Sequence, residues 1–174
     1  MSIAYRFDQQ LLMSSGTVPV ATVESVLLEY IPGAARVERA GIYDDRNGTD
    51  WWVYRQCGRQ LSIDAKVRAS DWRARHPSED DLALETWSVI ERQRVGWTRD
   101  CAKQTDYILW LWSDTKRFCL IPFPLLLGVF QDNWESWLKC YKHSQQFTPD
   151  GNYHSECVFV PRNIVWRAIY QRYA

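Results

Sequence analysis

Polar and apolar residues alternate with a period of two between positions 60 and 67, and this pattern predicts a β-strand with one buried face. Successive strand side chains point to opposite faces of a sheet. The apolar face carries Leu61, Ile63, Ala65 and Val67, and the polar face carries Gln60, Ser62, Asp64 and Lys66. A second strand-like segment at 50–56 comes before it, and Cys57-Gly58 between them predicts the turn of a β-hairpin.

The rest of the chain divides into helical, strand-like and loop segments. Apolar residues at helical spacing predict a helix within 19–30, with Thr22 as its N-cap and Pro32-Gly33 beyond its end, and further helices at 124–142 and 161–173. Strands are predicted at 36–45, 82–90, 106–112, 117–123 and 156–160, with turns at 45–48 and 113–116. Residues 1–18 fit a short helix or a loosely docked arm, and 70–81 and 144–153 fit loops.

This order of segments predicts the fold class. A run of strands flanked by helices indicates an α/β protein with a mixed central β-sheet and helices on both faces. With 174 residues, the chain is expected to form a single domain over 1–174 with a sizeable core. Ten Trp and nine Tyr indicate an aromatic-rich core, and we interpret Trp51-Trp52 and Trp110-Leu111-Trp112 as sheet core rather than a ligand pocket.

Charge and cysteine content narrow the function classes only slightly. The formal net charge is zero, so nucleic-acid binding would require a local basic patch. Five scattered Cys and no signal-peptide pattern predict reduced thiols and a cytoplasmic protein. The longest apolar run, at 118–130, contains two prolines and is shorter than the ~20 residues that span a bilayer, so no membrane role is expected.

The hairpin carries the candidate chemistry. Its fold brings Asp50 within about one or two residues of the position opposite Asp64, and Lys66 follows Asp64 on the same face, roughly 7 Å along the strand. Two close carboxylates repel each other unless a cation lies between them, and Mg²⁺ binds through one or two protein carboxylates. The alternative is that Asp64 and Lys66 are solvated residues of a half-exposed sheet and that Asp50 is a turn residue.

With a helical acid upstream, these residues resemble the PD-(D/E)xK nuclease superfamily, which has the restriction-endonuclease-like αβα sandwich fold. The matching residues are Glu24 in "VESVLLEY", Asp50 in "GTDWWV" and Asp64-Ala65-Lys66 in "SIDAKVR". The segments "LALETWS", "KQTDYILWLW" and "FCLIPF" also resemble downstream strands of Holliday-junction-resolvase-like and phage-encoded nucleases. Thr49 stands where the family has a proline, and Glu29 competes with Glu24 as the helical acid.

The resemblance implies a Mg- or Mn-dependent DNA endonuclease acting on junction or branched DNA. Asp50, Asp64, the Ala65 carbonyl and Glu24 would hold the metal, and Lys66 would position the attacking water. By the same analogy Glu85 and Lys103 would lie near the site, and a homodimer would widen the DNA-binding surface. The alternative within this fold is an inactive binding or inhibitory protein, for example from a phage or mobile element.

Two further sets of residues are candidates for binding. The loop after the motif interleaves basic and aromatic residues that suit DNA phosphates and bases: Arg68, Trp72, Arg73, Arg75 and His76. Its alternative is a solvated loop balanced by Glu79, Asp80 and Asp81. A zinc-stabilised interaction module is a third candidate, because Cys140, His143, His154 and Cys157 have the paired spacing of zinc ligands; the alternative is that Cys157 is simply a small buried residue.

Overall fold

A computed structural model of the chain describes residues 20–45, 48–74, 76, 78, 80–147 and 152–174, apart from the side chains at 20, 21, 42, 45 and 72. The described helices are α1 (Val20–Tyr30), α2 (Ile42–Asp45), α3 (Phe123–Cys140) and α4 (Arg162–Tyr173). The described strands are β1 (Ala34–Arg39), β2 (Trp51–Arg55), β3 (Gln60–Arg68), β4 (Asp81–Val89), β5 (Arg94–Val95), β6 (Tyr107–Trp112), β7 (Phe118–Pro122), β8 (His143–Phe147) and β9 (His154–Pro161). Short 3₁₀ turns lie at Trp72–Ala74, Ile90–Arg92 and Trp97–Arg99.

The backbone forms two compact units. The first unit contains the described residues up to Ala74 together with Lys103–Phe123, and the second contains the described residues of Arg75–Ala102 and Pro124–Ala174. The prediction of a single nuclease-like domain over residues 1–174 stays a prediction.

The first unit is built on a mixed five-stranded sheet in the order β1-β2-β3-β6-β7. The central pair β3–β6 is parallel and the other neighbours are antiparallel. The α/β class with a mixed sheet is therefore confirmed. Helix α1 covers one face of this sheet, where Val23 and Leu27 pack with Val53, Ile63 and other buried apolar side chains.

The second unit contains an antiparallel four-stranded sheet in the order β5-β4-β9-β8. Buried residues alternate along its two central strands, with Leu82 and Leu84 from β4 and Val158 and Val160 from β9. This alternation is typical of a sheet with one face in a core.

Several sequence predictions are confirmed at the level of elements. The hairpin β2–β3 turns at Gly58, which has a φ of +80 that suits glycine. The pair β6–β7 and the helices α1, α3 and α4 lie where the pattern places them. Trp51, Trp110, Leu111 and Trp112 are buried, which confirms that these residues are sheet core. Trp52 is only half-buried, and its indole donates to Asp44 Oδ2 at 3.1 Å.

Other predictions are wrong. The strand expected at 36–45 ends at Arg39, and Ile42–Asp45 is a helical turn. Thr22 is not the N-cap, because α1 already begins at Val20. The loop expected from residue 144 instead contains strand β8, whose mostly exposed, polar sequence gives no apolar alternation. The last strand is longer than expected and spans His154–Pro161.

Predictions that fall at 1–18 and at residues 46–47 of the 45–48 turn lie outside the described residues. None of the described helices is both long enough and apolar enough to cross a lipid bilayer.

Candidate active site

The first hairpin brings the two motif aspartates onto neighbouring strands. The regular antiparallel ladder ends at the pair Trp51–Ile63, and Asp50 is the residue just before this pair. The Asp50 amide donates to the Ile63 carbonyl at 2.8 Å, one residue out of the register of the ladder. Asp50 therefore lies beside the part of β3 that carries Asp64.

Backbone hydrogen bonds fix Asp50 on both sides. Its carbonyl accepts from the Ala40 amide at 2.8 Å, and its Oδ2 accepts from the Ala65 amide at 2.7 Å. The bond to Ala65 ties the Asp50 carboxylate to the strand that carries Asp64. The residue before it, Thr49, donates from Oγ1 to the Gln104 carbonyl at 3.4 Å, a bond that the family's proline cannot make.

Asp64 is almost fully buried, with 2% of its surface exposed, and it contacts two lysines. Lys66 Nζ lies 2.7 Å from Asp64 Oδ1, and Lys103 Nζ lies 2.8 Å from Asp64 Oδ2. The Lys66 side chain keeps 26% of its surface exposed, whereas that of Lys103 keeps 7%. One lysine of the pair is therefore open to solvent and the other is enclosed.

The electrostatics of this cluster favour an ionised Asp64. Burial raises the pKa of its carboxyl, but attraction and hydrogen bonding from Lys66 and Lys103 outweigh burial and hold the pKa below its usual value. Together with Asp50, the cluster contains two carboxylates and two ammonium groups, so their formal charges cancel.

The Lys103 ammonium occupies space that is open because Gly48 has no side chain. Gly48 has a φ of +86, and a β-carbon at this position would overlap the Lys103 ammonium. The Gly48 carbonyl accepts hydrogen bonds from Lys103 Nζ at 3.3 Å and from the Thr105 hydroxyl. The ring of Phe123 lies 6.0 Å from the same ammonium. The Lys103 ammonium is therefore enclosed by a carboxylate, a carbonyl and an aromatic ring.

Glu24 is not brought to these residues. Helix α1 packs on the sheet face that carries Ile63, and alternation along β3 directs Asp64 and Lys66 to the other face. Among the described residues no three Asp, Glu, His or Cys side chains are arranged to hold a metal ion. Glu29 is exposed and hydrogen-bonds the Tyr30 hydroxyl. The role of either glutamate as third metal ligand stays a prediction.

The two remaining metal-site candidates differ in position. Ala65 lies in β3 between Asp64 and Lys66, and its amide rather than its carbonyl makes the contact with Asp50. Glu85 belongs to β4 in the second unit, where its Oε2 accepts a hydrogen bond from the Trp97 amide at 2.9 Å. Glu85 thus binds the start of a 3₁₀ turn, and its approach to the metal site stays a prediction.

The basic loop after the motif begins at the open end of β3. Arg68 is exposed there, and Arg73 lies half-buried in the 3₁₀ turn that follows. Asp71 fixes this turn, because it is 3% exposed and accepts bidentate hydrogen bonds from Arg117 at 2.7 and 2.8 Å. Trp72 belongs to the same turn, although its side chain lies outside the description. The prediction of a basic surface therefore rests on Arg68 and Arg73.

The other two residues of the predicted basic surface are not described within the first unit. His76 is exposed and belongs to the second unit. Arg75 lies outside the described residues.

The four zinc-site candidates are not brought together. His143 pairs with Val158 and His154 pairs with Phe147, so the two histidines lie at opposite ends of the β8–β9 ladder. Alternation places Cys157 on the face opposite His154. His154 Nδ1 contacts Glu91, and Cys140 is exposed at the end of α3. Zinc binding by Cys140, His143, His154 and Cys157 stays a prediction, and the four side chains do not share one site in the described structure.

Two interactions near the site were missed by sequence reasoning. Asp106 Oδ2 accepts from both the amide and the hydroxyl of Ser62, at 2.8 and 3.0 Å, and so fixes β6 beside β3 just before Asp64. Gly48 makes room for the Lys103 ammonium. The predicted turn that ends at Gly48 was visible in the sequence, but the contact of Gly48 with Lys103, 55 residues later, was not.

Comparisons with known proteins add no relative. A scan of protein-family models, a search of curated proteins and a search of solved structures each found no match for this chain. The resemblance to PD-(D/E)xK nucleases therefore depends on the motif residues and their positions alone.

Proposed function

We propose that this protein is a divalent-metal-dependent DNA endonuclease that hydrolyses phosphodiester bonds. The observation that supports it is the proximity of three motif residues: Lys66 forms an ion pair with Asp64 on β3, and the Asp50 carboxylate accepts from the amide of Ala65 between them. From the resemblance to PD-(D/E)xK nucleases, the proposed substrate is junction or branched DNA, bound by a homodimer in the cytoplasm.

The donor set fits one hard divalent ion. Asp50 and Asp64 supply carboxylate oxygens from neighbouring strands, and the proposal adds the Ala65 carbonyl. Mg²⁺ needs only one or two protein carboxylates and keeps several waters. Such an ion supplies Lewis-acid stabilisation of charge on the phosphate and lowers the pKa of a bound water. The fit requires one condition, namely that Asp64 Oδ2 is released from Lys103.

The remaining chemistry belongs to Lys66. Its ammonium is anchored on Asp64 Oδ1 at 2.7 Å while part of the side chain faces solvent. From this position it donates hydrogen bonds to an attacking water and to a phosphate oxygen that gains negative charge. Donors fixed in advance at a developing charge typically contribute about 10²–10³-fold in rate.

The second candidate function is a nuclease-fold protein that binds without cutting. The observation in its favour is that both oxygens of Asp64 are paired with ammonium groups, so the cluster has no formal charge deficit for a metal to fill. In this case the four groups stabilise the fold, and any binding takes place on other surfaces.

A cleavage assay distinguishes the two candidates. We expect the wild-type protein to cut four-way-junction, linear or plasmid DNA in Mg²⁺ or Mn²⁺ and to lose this activity when EDTA is added. Lys66→Met is expected to lower the cleavage rate about 10²–10³-fold, because it removes the solvent-facing donor. The rate is measured under single-turnover conditions, on gels with labelled DNA.

Lys139→Met is the matched control, because Lys139 is an exposed residue in the last turn of α3, and the control should cut at the wild-type rate. Wild-type protein that binds DNA but never cuts it would favour the second candidate. Equal cleavage by Lys66→Met and wild type would place the activity elsewhere.

Binding to DNA gives a separate prediction for the basic turn. If Arg68 and Arg73 contact phosphates, replacing either by alanine should lower the slope of log binding constant against log salt concentration by about 1. Arg59→Ala is the control, since Arg59 is exposed just before the opposite end of β3. The measurement is fluorescence anisotropy at several salt concentrations in Ca²⁺ or EDTA. Identical slopes for all three variants would exclude the turn from the interface.

A further inference from the structure

The enclosed lysine occupies the part of the site where an ion is expected. Lys103 Nζ is bound by Asp64 Oδ2 at 2.8 Å and by the Gly48 carbonyl at 3.3 Å. A carboxylate and a backbone carbonyl are the oxygen ligands that hard divalent cations take. The Lys103 ammonium is therefore bound by the same kinds of oxygen atom that would bind a divalent metal ion.

A divalent ion and this ammonium cannot share Asp64 Oδ2. The Lys103 side chain has 7% of its surface exposed and Asp64 has 2%, so little water screens the repulsion between two cations there. Asp64 Oδ1 offers no second position, because Lys66 lies 2.7 Å from it. Any ion that binds Asp64 must therefore replace one ammonium or the other.

Hydrogen bonds hold the backbone around the Lys103 ammonium in place. The Thr105 hydroxyl donates to the Gly48 carbonyl, and Thr49 Oγ1 donates to the Gln104 carbonyl, so two hydrogen bonds hold the backbone on either side of the site. Gly48 leaves the space into which the ammonium fits. The backbone is thus held in place, and only the four-carbon side chain of Lys103 has to move for its ammonium to leave the position beside Asp64 Oδ2.

We propose that the Lys103 ammonium is an internal cation that closes the metal position beside Asp64, and that a divalent ion binds only when this side chain leaves. The inference depends on the metal site of the proposed function and adds a regulatory residue to it. Metal affinity is set by competition with a tethered charge, and removal of that charge strengthens metal binding.

The test measures Mn²⁺ binding by isothermal titration calorimetry without DNA. Lys103→Met keeps the length and apolar stem of the side chain and leaves Asp64 paired with Lys66, and we expect it to bind Mn²⁺ at least roughly tenfold more tightly than the wild type. Lys139→Met removes the same charge from an exposed position and should bind like the wild type.

A second measurement uses the wild-type chain, so the test does not depend on the folding of the variant. Lysines are acylated briefly with an N-hydroxysuccinimide acetate, and the modification at each position is quantified by mass spectrometry. Lys103 should react slowly alone and several-fold faster with saturating Mn²⁺, whereas exposed Lys116, Lys139 and Lys142 should react equally in both conditions.

The outcomes separate this inference from the proposed nuclease function. Equal or weaker Mn²⁺ binding by a folded Lys103→Met, or an unchanged or lower reactivity of Lys103 with Mn²⁺, overturns the inference while wild-type cleavage stands. Failure of both the wild type and Lys103→Met to bind Mn²⁺ overturns the inference and the metal site together.

Discussion

Asp64→Asn is expected to lower the free energy of unfolding by about 3–5 kcal/mol, because the substitution leaves the enclosed Lys103 ammonium without its carboxylate. The asparagine keeps the size and an acceptor oxygen, so the loss reports the charge. The free energy is measured by urea unfolding and linear extrapolation to water. DNA cleavage by this variant should also be lost, since Asp64 is the proposed metal ligand on β3.

A double-mutant cycle with Lys103→Met isolates the buried pair. The cost of Asp64→Asn should be smaller in the Lys103→Met background, with a coupling energy in the range of about 0.5–3 kcal/mol. Additive costs would show that the 2.8 Å contact contributes nothing of its own to stability.

The pH dependence has a definite sign. The pKa of Asp64 is lower in the folded protein than its ordinary value of 3.8, so the stabilisation is present above about pH 3.8 and is lost as the pH falls through the folded-state value. Asp64→Asn should therefore unfold with a weaker dependence on acid than the wild type.

The local part of the fold and site was predictable from the sequence. Alternation between positions 60 and 67 identifies the strand, its buried face and the shared face of Asp64 and Lys66. The hairpin turn at Cys57-Gly58 then fixes the register within a residue or two, and in the structure the Asp50 amide donates to the carbonyl of Ile63, the residue before Asp64. These features follow from the period of a strand and the length of a turn, which are local properties.

The long-range part was not predictable, for physical reasons. The pairing of β4 with β9 joins residues more than 60 positions apart, and nothing in either strand's pattern specifies that a second sheet forms. Strand β8 has the polar sequence "HSQQF", and it becomes a strand by hydrogen bonding to β9 rather than by burying an apolar face. Tertiary pairing of this kind overrides local preference.

The position of Glu24 relative to Asp64 was likewise not predictable from the sequence. Helical spacing identifies Val23, Val26 and Leu27 as the buried side of α1, but it does not say which face of the sheet that side will cover. The helix covers the face opposite Asp64. The proximity of Lys103 to Asp64 came only from the family analogy, since the residues lie 39 positions apart and no periodicity links them.

Asp71→Ala is expected to cost about 3 kcal/mol, because Asp71 holds the basic turn through a buried, bidentate contact with Arg117. Its carboxylate also accepts from the Thr115 hydroxyl at 2.9 Å and the Arg73 amide at 3.2 Å. Hydrogen bonds from Arg117, together with that from Thr115, outweigh burial and lower the pKa of Asp71 from 3.8 to about 2. About 2 kcal/mol of the stabilisation should therefore be present above pH 3.8 and disappear as the pH falls to about 2.

The control for Asp71 is an exposed ion pair in the same unit. Arg36 and Glu38 form a contact of 2.6 Å, but their side chains are 60% and 44% exposed, so Glu38→Gln should change stability by no more than about 0.5 kcal/mol. Unfolding of both variants and the wild type is followed between pH 7 and pH 2. The difference between the wild type and Asp71→Ala should shrink steadily below pH 4, because protonation of Asp71 removes the interaction that the substitution removes. If the difference in unfolding free energy stays constant down to pH 2, Asp71 stabilises the turn by packing rather than by its charge. The Arg117 contact would then not be what fixes Arg73 beside the proposed DNA surface.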